Sequence, residues 1–285
     1  TRLDALAAEP GPPVITDMIG IATSWGRRTA GEVELALTAI ETAAATTPPG
    51  ASEKVRWRTN VERAEVLLEL GRADEAASVL PALSERAELQ DVIYDAAAQI
   101  RVRLALGEVD EAVAVARDIA LNAAGFAPYF DAVAVAVEAL LTAGLLTEAQ
   151  ALVDAARARA REVGTAFLDE AQARIFVAAG DAERARPLLE SVVTQAAERG
   201  FRLVEWRVRL LLAETLAAGE AERLVLEVAT MAQASGAARI VDEARALARR
   251  RGLAVPEPAP PDRVAELDVI AGGERVVTSM FADVR

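Results

Sequence analysis

Five short segments in the middle of the chain share one pattern: GRADEA (71–76), GEVDEA (107–112), GLLTEA (144–149), GDAERA (180–185) and GEAERL (219–224). Their glycines, Gly71, Gly107, Gly144, Gly180 and Gly219, are 36, 37, 36 and 39 residues apart. A repeat of this period commits a chain to stacking one supersecondary unit on the next, because a single unit cannot cover its own apolar face. Each glycine follows an apolar stretch of helical period. Glycine accepts the left-handed conformation that closes a helix, and the acidic residues behind it suit the first turn of another. The alanine five residues on (Ala76, Ala112, Ala149, Ala185) marks where paired helices approach closely, whereas Leu224 in the last copy predicts a looser pair or the end of the array. A second glycine series, Gly125, Gly164, Gly200 and Gly236, falls between the first.

These signals predict antiparallel helix pairs at 53–70 with 73–87, 89–106 with 109–124, 127–143 with 146–163, 166–179 with 182–199, and 202–218 with 221–235, capped by a helix at 237–251. Helices at 13–25 and 30–45 form a more divergent pair before the turn TTPPGAS (46–52). The expected fold class is all-α, an α-solenoid. Its parts are an N-terminal helical pair (1–52), the repeats (53–252), a Pro-rich linker (253–263) and a C-terminal segment (264–285). Aromatics at 4% within a chain that is 53% hydrophobic fit close-packed, alanine-rich helices better than a sandwich or barrel.

The chain contains no cysteine and no histidine. That removes disulfides, zinc–thiolate sites, cysteine nucleophiles and serine–histidine catalysis, and leaves oxygen-rich metal sites suited to magnesium, manganese or calcium. A net charge of −13 argues against nucleic acid and against an anionic membrane surface as partners. Arg202, Arg207 and Arg209, and the cluster Arg245, Arg249, Arg250 and Arg251, sit in an otherwise acidic chain, the latter at a helix C-terminus where cations favour the dipole. IAGGERV (270–276) lacks the lysine and the spacing of a phosphate-binding loop. The most apolar segment (127–146) carries Asp131 and Glu138, so it reads as a buried helix, and no membrane span is expected. No leader segment precedes the helices, which points to the cytoplasm. The first residue is Thr1, so the N-terminus is expected to be cut or processed.

The motif G-x-x-x-E/R-A at this period resembles the tetratricopeptide repeat over about 53–236. The resemblance implies a right-handed α-solenoid with a concave groove lined by the first helix of each pair. Its first-helix half departs from the family: where a large residue and then a small one are usual, this chain has Arg63–Ala64, Gln99–Ile100, Ala136–Val137, Gln172–Ala173 and Leu211–Leu212. Counting from the glycines, Arg58, Tyr94, Asp131, Phe167 and Trp206 occupy one level of the groove, and Glu65, Arg101, Glu138 and Arg174 a second level of alternating charge. Two readings follow. A groove of this kind could take a protein or peptide by charge pattern and aromatic anchors. Alternatively the alternating charges pair between neighbouring helices, the reading favoured here, with Trp25, Trp57 and Trp206 in the core.

LAVPEPAPPDR (253–263) holds four prolines and ends the helical region. Beyond a Gly-Gly turn, RVVTSMFADVR is rich in β-branched and aromatic residues and reads as a strand. ERVVTSMFADVR (274–285) resembles the opening strand of the class III adenylate/guanylate cyclase catalytic domain, matching at Arg275, Val277, Thr278, Phe281, Ala282 and Asp283 and departing mildly at Ser279–Met280. The resemblance implies that the parent protein converts ATP to cyclic AMP and pyrophosphate. It makes Asp283 the first of two aspartates that hold two magnesium or manganese ions. The second aspartate and the purine-selecting residues of the family are not matched within these residues, so the chain by itself is expected to be non-catalytic. The helical repeats are then a regulatory module, acting by partner binding or as a homodimer, since active sites of that family form between two catalytic domains. The alternative is the helical arm of a signalling ATPase or transcription regulator, serving as a partner-binding scaffold.

Overall fold

The computed structural model describes residues 13–47, 52–81, 89–122, 130–158 and 165–254. Among them are thirteen α-helices and no strand. They are α1 (Pro13–Thr29), α2 (Val33–Thr46), α3 (Glu53–Glu69), α4 (Ala73–Val79), α5 (Leu89–Leu106), α6 (Val109–Asn122), α7 (Phe130–Thr142), α8 (Leu146–Arg157), α9 (Thr165–Ala178), α10 (Ala182–Arg199), α11 (Arg202–Glu214), α12 (Ala218–Ala234) and α13 (Ala238–Arg251). Each odd-numbered helix up to α11 packs on the even-numbered helix that follows, which packs in turn on the next odd-numbered one. The odd-numbered helices also touch their odd-numbered successors from α1 to α13, making one continuous layer.

The turn inside a pair is built as the sequence suggests. At Gly71 φ is 73°, the Gly71 N–H donates to the Leu68 carbonyl at 3.0 Å, and the Arg72 N–H reaches back to Leu67 at 2.9 Å. That two-bond closure satisfies the last carbonyls of α3 and needs a residue free of a Cβ penalty. Ala76, Ala112, Ala149 and Ala185 are all fully buried at the helix contacts. A further copy stands upstream at GEVELA (31–36): Gly31 has φ 82° and Ala36 is fully buried.

The copy at 219 differs from expectation. Gly219 is the second residue of α12, in helical conformation, and does not close α11. The turn is made earlier: the Leu216 N–H donates to the Ala213 carbonyl at 3.3 Å, Ala217 is extended, and Ala221 takes the buried alanine place. Leu216 therefore stands where the other copies have glycine, and it lies 36 residues after Gly180, in step with the rest. For the same reason α11 ends at Glu214 rather than 218. Helix α4 ends at Val79 rather than 87 because Pro81 disfavours helical backbone at the preceding residue, and Leu80 is extended at ψ 119°. Gly125, Gly164, the residues from 255 onward and the strand expected at 274–285 lie outside the described residues.

One apolar cluster joins distant parts of the chain. Val33, Ala36 and Val66 of the first two pairs are buried together with Leu203, Trp206, Leu210, Val225, Ile240 and Leu247 of the last helices. Helix α11 touches α1 and α13 touches α3, in each case five pairs further along. The chain thus returns on itself after five pairs. No helix among the described residues is long and apolar enough to cross a membrane.

The turn register has a direct consequence. An added Cβ meets nothing within 4 Å at either Gly180 or Gly219, but φ is 75° at Gly180 alone of the two. Gly180→Ala is expected to destabilise by about 1 kcal/mol from conformation alone, and Gly219→Ala to stabilise by about 0.5 kcal/mol. Urea denaturation midpoints check this; a loss of equal size at both positions would refute the register.

Candidate interaction face

Helix α3 carries three carboxylates at i, i+3 and i+7, Glu62, Glu65 and Glu69, which lie along one face of a helix. All three are buried, at 0%, 3% and 1% relative exposure. Burying three carboxylates is tolerated only where cations and hydrogen bonds replace water. Each finds an arginine on a different helix. Arg28 of α1 makes a bidentate pair with Glu62, Nε to Oε1 at 3.0 Å and Nη2 to Oε2 at 2.9 Å, and Ser24 Oγ lies 3.2 Å from the same Oε1. Arg101 of α5 donates from Nη1 to Glu65 Oε1 at 2.6 Å, with Arg28 Nη1 3.7 Å from the other oxygen. Arg207 of α11 donates from Nη2 to Glu69 Oε2 across 138 residues of sequence.

The network continues around the odd-numbered helices. Arg174 of α9 holds Glu170 on its own helix at 2.8 Å and lies 3.5 Å from Glu138 of α7. Arg207 Nε lies 3.7 Å from Glu243 of α13, which Arg239 approaches at 3.0 Å. Burial pushes the Glu69 carboxyl up, but Arg207 and Arg239 outweigh it and hold the group at about 2. Glu65 is likewise pushed up by burial and brought below its ordinary value by Arg101 and Arg28. Glu138 also ends below its ordinary value, since Arg174, Arg239, Arg207 and Arg101 together overcome the effect of burial. Side chains of α5, α9, α11 and α13 thus act on one carboxylate of α7. The same charges hold Arg207 protonated more firmly, Glu69 and Glu243 exceeding the opposing effect of its burial.

The charged row expected at Glu65, Arg101, Glu138 and Arg174 is therefore a set of pairs between neighbouring helices, Glu65 with Arg101 and Glu138 with Arg174. Of the other row, three members have described side chains. Trp206 is 5% exposed and belongs to the apolar cluster, where its ring edge packs against Gly31. It joined the row through Gly219, which lies three residues late; counted from Leu216 the equivalent residue is Leu203, also buried. Phe167 is half-buried against the core, and Arg58 is half-buried on α3. Tyr94 and Asp131 fall on α5 and α7, with side chains outside the described residues. Asp283 lies outside them as well. Trp25 packs edge-on to Phe201 with ring centroids 6.2 Å apart.

Glu62, Glu69, Arg28 and Glu243 were not marked by the sequence, and Arg207 was noted only as one of a basic group. Arg207 and Glu243 did carry a signal: they lie 36 residues apart on consecutive odd-numbered helices, like Glu65 and Arg101. Asp95 is a different case. It is buried on α5 beside Gln99 and Trp57, yet neither of its oxygens closes a hydrogen bond among the described residues. The Gln99 amide is turned instead to the Pro81 carbonyl, at 2.8 Å. Burial raises the Asp95 carboxyl to about 7, with Gln99 and Trp57 pulling it back in part. No protein-family model matches the chain, and no characterised protein matches it in a sequence comparison.

Two predictions follow from these opposite shifts. Glu69 titrates near 2 in the folded chain against an ordinary 4.5, so its stabilisation is present above pH 4.5 and is lost as pH falls towards 2. Glu69→Gln, which leaves Arg207 buried beside a neutral group, should cost about 3 kcal/mol at pH 7. That difference should shrink as pH falls below 4.5, as read by urea denaturation at a series of pH values. Asp95 behaves oppositely: its penalty grows between its ordinary value of 3.8 and about 7 and is constant above. Asp95→Asn should raise the melting temperature most above pH 7 and not at all near pH 3.8. A gain that is flat across that range would rule out the buried-acid explanation.

Proposed function

We propose that the helices form a tetratricopeptide-like, right-handed α-solenoid whose work is regulatory and mechanical, the helical-repeat region of a class III nucleotide cyclase. The fixed glycine-turn register, the buried alanine of each copy and the stacking of successive pairs support the solenoid reading. The resemblance of 274–285 to the opening of the cyclase catalytic domain supports the parent activity, the conversion of ATP to cyclic AMP and pyrophosphate.

The observation that carries a regulatory role is how firmly the last turn of α13 is held to α11. The N-terminal end of α13 packs against the turn at Gly71, and its last turn is bolted to the end of α11. Arg250 pairs with Glu214 at 3.1 Å, and the Arg251 guanidinium donates to the Ala213 carbonyl and, at 2.9 Å, to that of Leu216. Gly252 then closes α13 in left-handed conformation. A helix whose last turn is fixed to its neighbour and which is followed in sequence by four prolines transmits orientation better than a flexible tether would. In this reading the array sets the geometry of two catalytic domains, by self-association or by taking a protein partner. In the complete domain Asp283 and a second aspartate hold two magnesium or manganese ions.

The test uses the chain as given and the same chain continued through a catalytic domain, both assayed with ATP or GTP and magnesium or manganese. The 285-residue chain is expected to form no cyclic nucleotide. The continued chain is expected to form it, and Asp283→Ala to abolish it. Replacing 253–263 by a Gly/Ser tether of equal length should change the rate while leaving the catalytic domain folded. Turnover by the 285-residue chain alone, or full activity of Asp283→Ala, would defeat the reading.

A further inference from the structure

The contact between the first two helix pairs and the last helices is of a different kind from the stacking of neighbours. Neighbouring pairs share long apolar seams. The return contact brings only Val33, Ala36 and Val66 of the early helices into the apolar cluster of the late ones, and adds to it a few separate features. The turn at Gly31 receives the edge of Trp206: a Cβ added there would lie 3.0 Å from the Trp206 ring and 3.3 Å from Arg202. The turn at Gly71 faces Ala238, and the turn at Gly236 faces the Glu34 side chain. Trp25 meets Phe201, and Arg207 meets Glu69. In each α-helical contact the C-terminal end of an early helix (α1, α3) meets the N-terminal half of a late one (α11, α13).

The seam also gathers buried polar atoms that close no hydrogen bond among the described residues: Glu69 Oε1, Arg207 Nε, Arg239 Nη1 and Trp206 Nε1. Each loses its water on closure without a matching bond, which opposes closure and would be relieved on opening. The buried Glu69–Arg207 pair acts the other way. Separating it restores hydration to both groups, so the gain from closing is the small difference of large opposing effects. Packed contacts of this sort switch between discrete arrangements rather than deform gradually.

We propose that this seam is a reversible clasp, with a clasped state in which α11 and α13 sit on α1 and α3, and an open state in which stacking of neighbours persists but the return contact is released. Opening uncovers the Gly31–Trp206 contact and the Glu69 end of the acidic stripe on α3. A basic segment is the chemistry that would hold the open state, by taking the place of Arg207 beside Glu69. The clasp rests on the helices alone and stands or falls apart from the cyclase reading.

The chain has no cysteine, so Thr38→Cys on α2 and Thr230→Cys on α12, both exposed, give one unique pair for spin labels. In the parent background a single narrow distance distribution is expected. Arg207→Glu should shift it to longer distances by about one helix diameter, roughly 10 Å, with the circular dichroism of the folded helices retained. Combining it with Glu69→Arg should restore the short distance. Arg207→Leu, which keeps packing volume, covers the case in which reversal unfolds the chain, and it should lengthen the distance also. Gly31→Ala should open the clasp where Gly180→Ala, with equal backbone strain and no neighbour, should not. Unmoved distances in folded Arg207→Leu and Gly31→Ala proteins would overturn the proposal.

Discussion

The acidic stripe of α3 is the constraint on which the rest of the structure depends. Glu62, Glu65 and Glu69 occupy a face that packing has removed from water, so each must be matched by a cation brought from elsewhere. Arg28, Arg101 and Arg207 come from α1, α5 and α11, and between them they tie the helix to the pair before it, the pair after it and a pair four places on. Hydrophobic contact is non-directional and would accept several stackings of alanine-rich helices. Three buried carboxylates on fixed turns accept few. The charges thus select one arrangement of the pairs, while apolar burial supplies most of the driving force.

The repeating backbone and the specific contacts follow different rules, and they were legible in different degrees. A glycine turn and a buried alanine are local requirements, so GRADEA, GEVDEA, GLLTEA and GDAERA could be placed on helix boundaries from their spelling. The same rule misled at GEAERL. A glycine within the first turn of α12 costs little, and it was taken for the closing glycine because Leu216, which fills the closing place, carries no turn signature. The three-residue error carried Trp206 into a row where Leu203 belongs. At GEVELA the motif was present and unused, because the longer interval of 40 residues to Gly71 set it apart from the other copies.

Pairing between consecutive helices was legible because Glu65, Arg101, Glu138 and Arg174 recur at the repeat period. The match of Glu69 with Arg207 was not, since it depends on how far each pair rotates relative to the last. That rotation accumulates from small differences in side-chain volume at every interface, among them Ala76, Ala112, Ala149 and Ala185, and no single residue encodes it. Asp95 is beyond sequence reading for a similar reason. An acid among DAAAQI on a helix looks like any surface aspartate, and only the placing of Trp57 and Gln99 around it shows that it is enclosed.

These two kinds of buried acid bear on how such an array responds to its surroundings. Glu69 is ionised and paired with Arg207, so it ties distant pairs together; Asp95 is enclosed with no cation beside it among the described residues, so it weakens the second and third pairs at neutral pH. A stack of helix pairs made only of identical apolar joins would bend evenly under load. Here compliance is uneven. The joins α7–α9 and α9–α10 carry continuous apolar clusters, the region around Asp95 is softened by a carboxyl with no cation beside it among the described residues, and the return contact adds one buried pair and a few turns to the small apolar share of Val33, Ala36 and Val66. Any displacement of one pair against another is therefore easiest at the softened joins. Because α13 is bolted to α11, whatever displaces α11 from α1 must move α13 with it, and with it the point from which the Pro-rich segment departs.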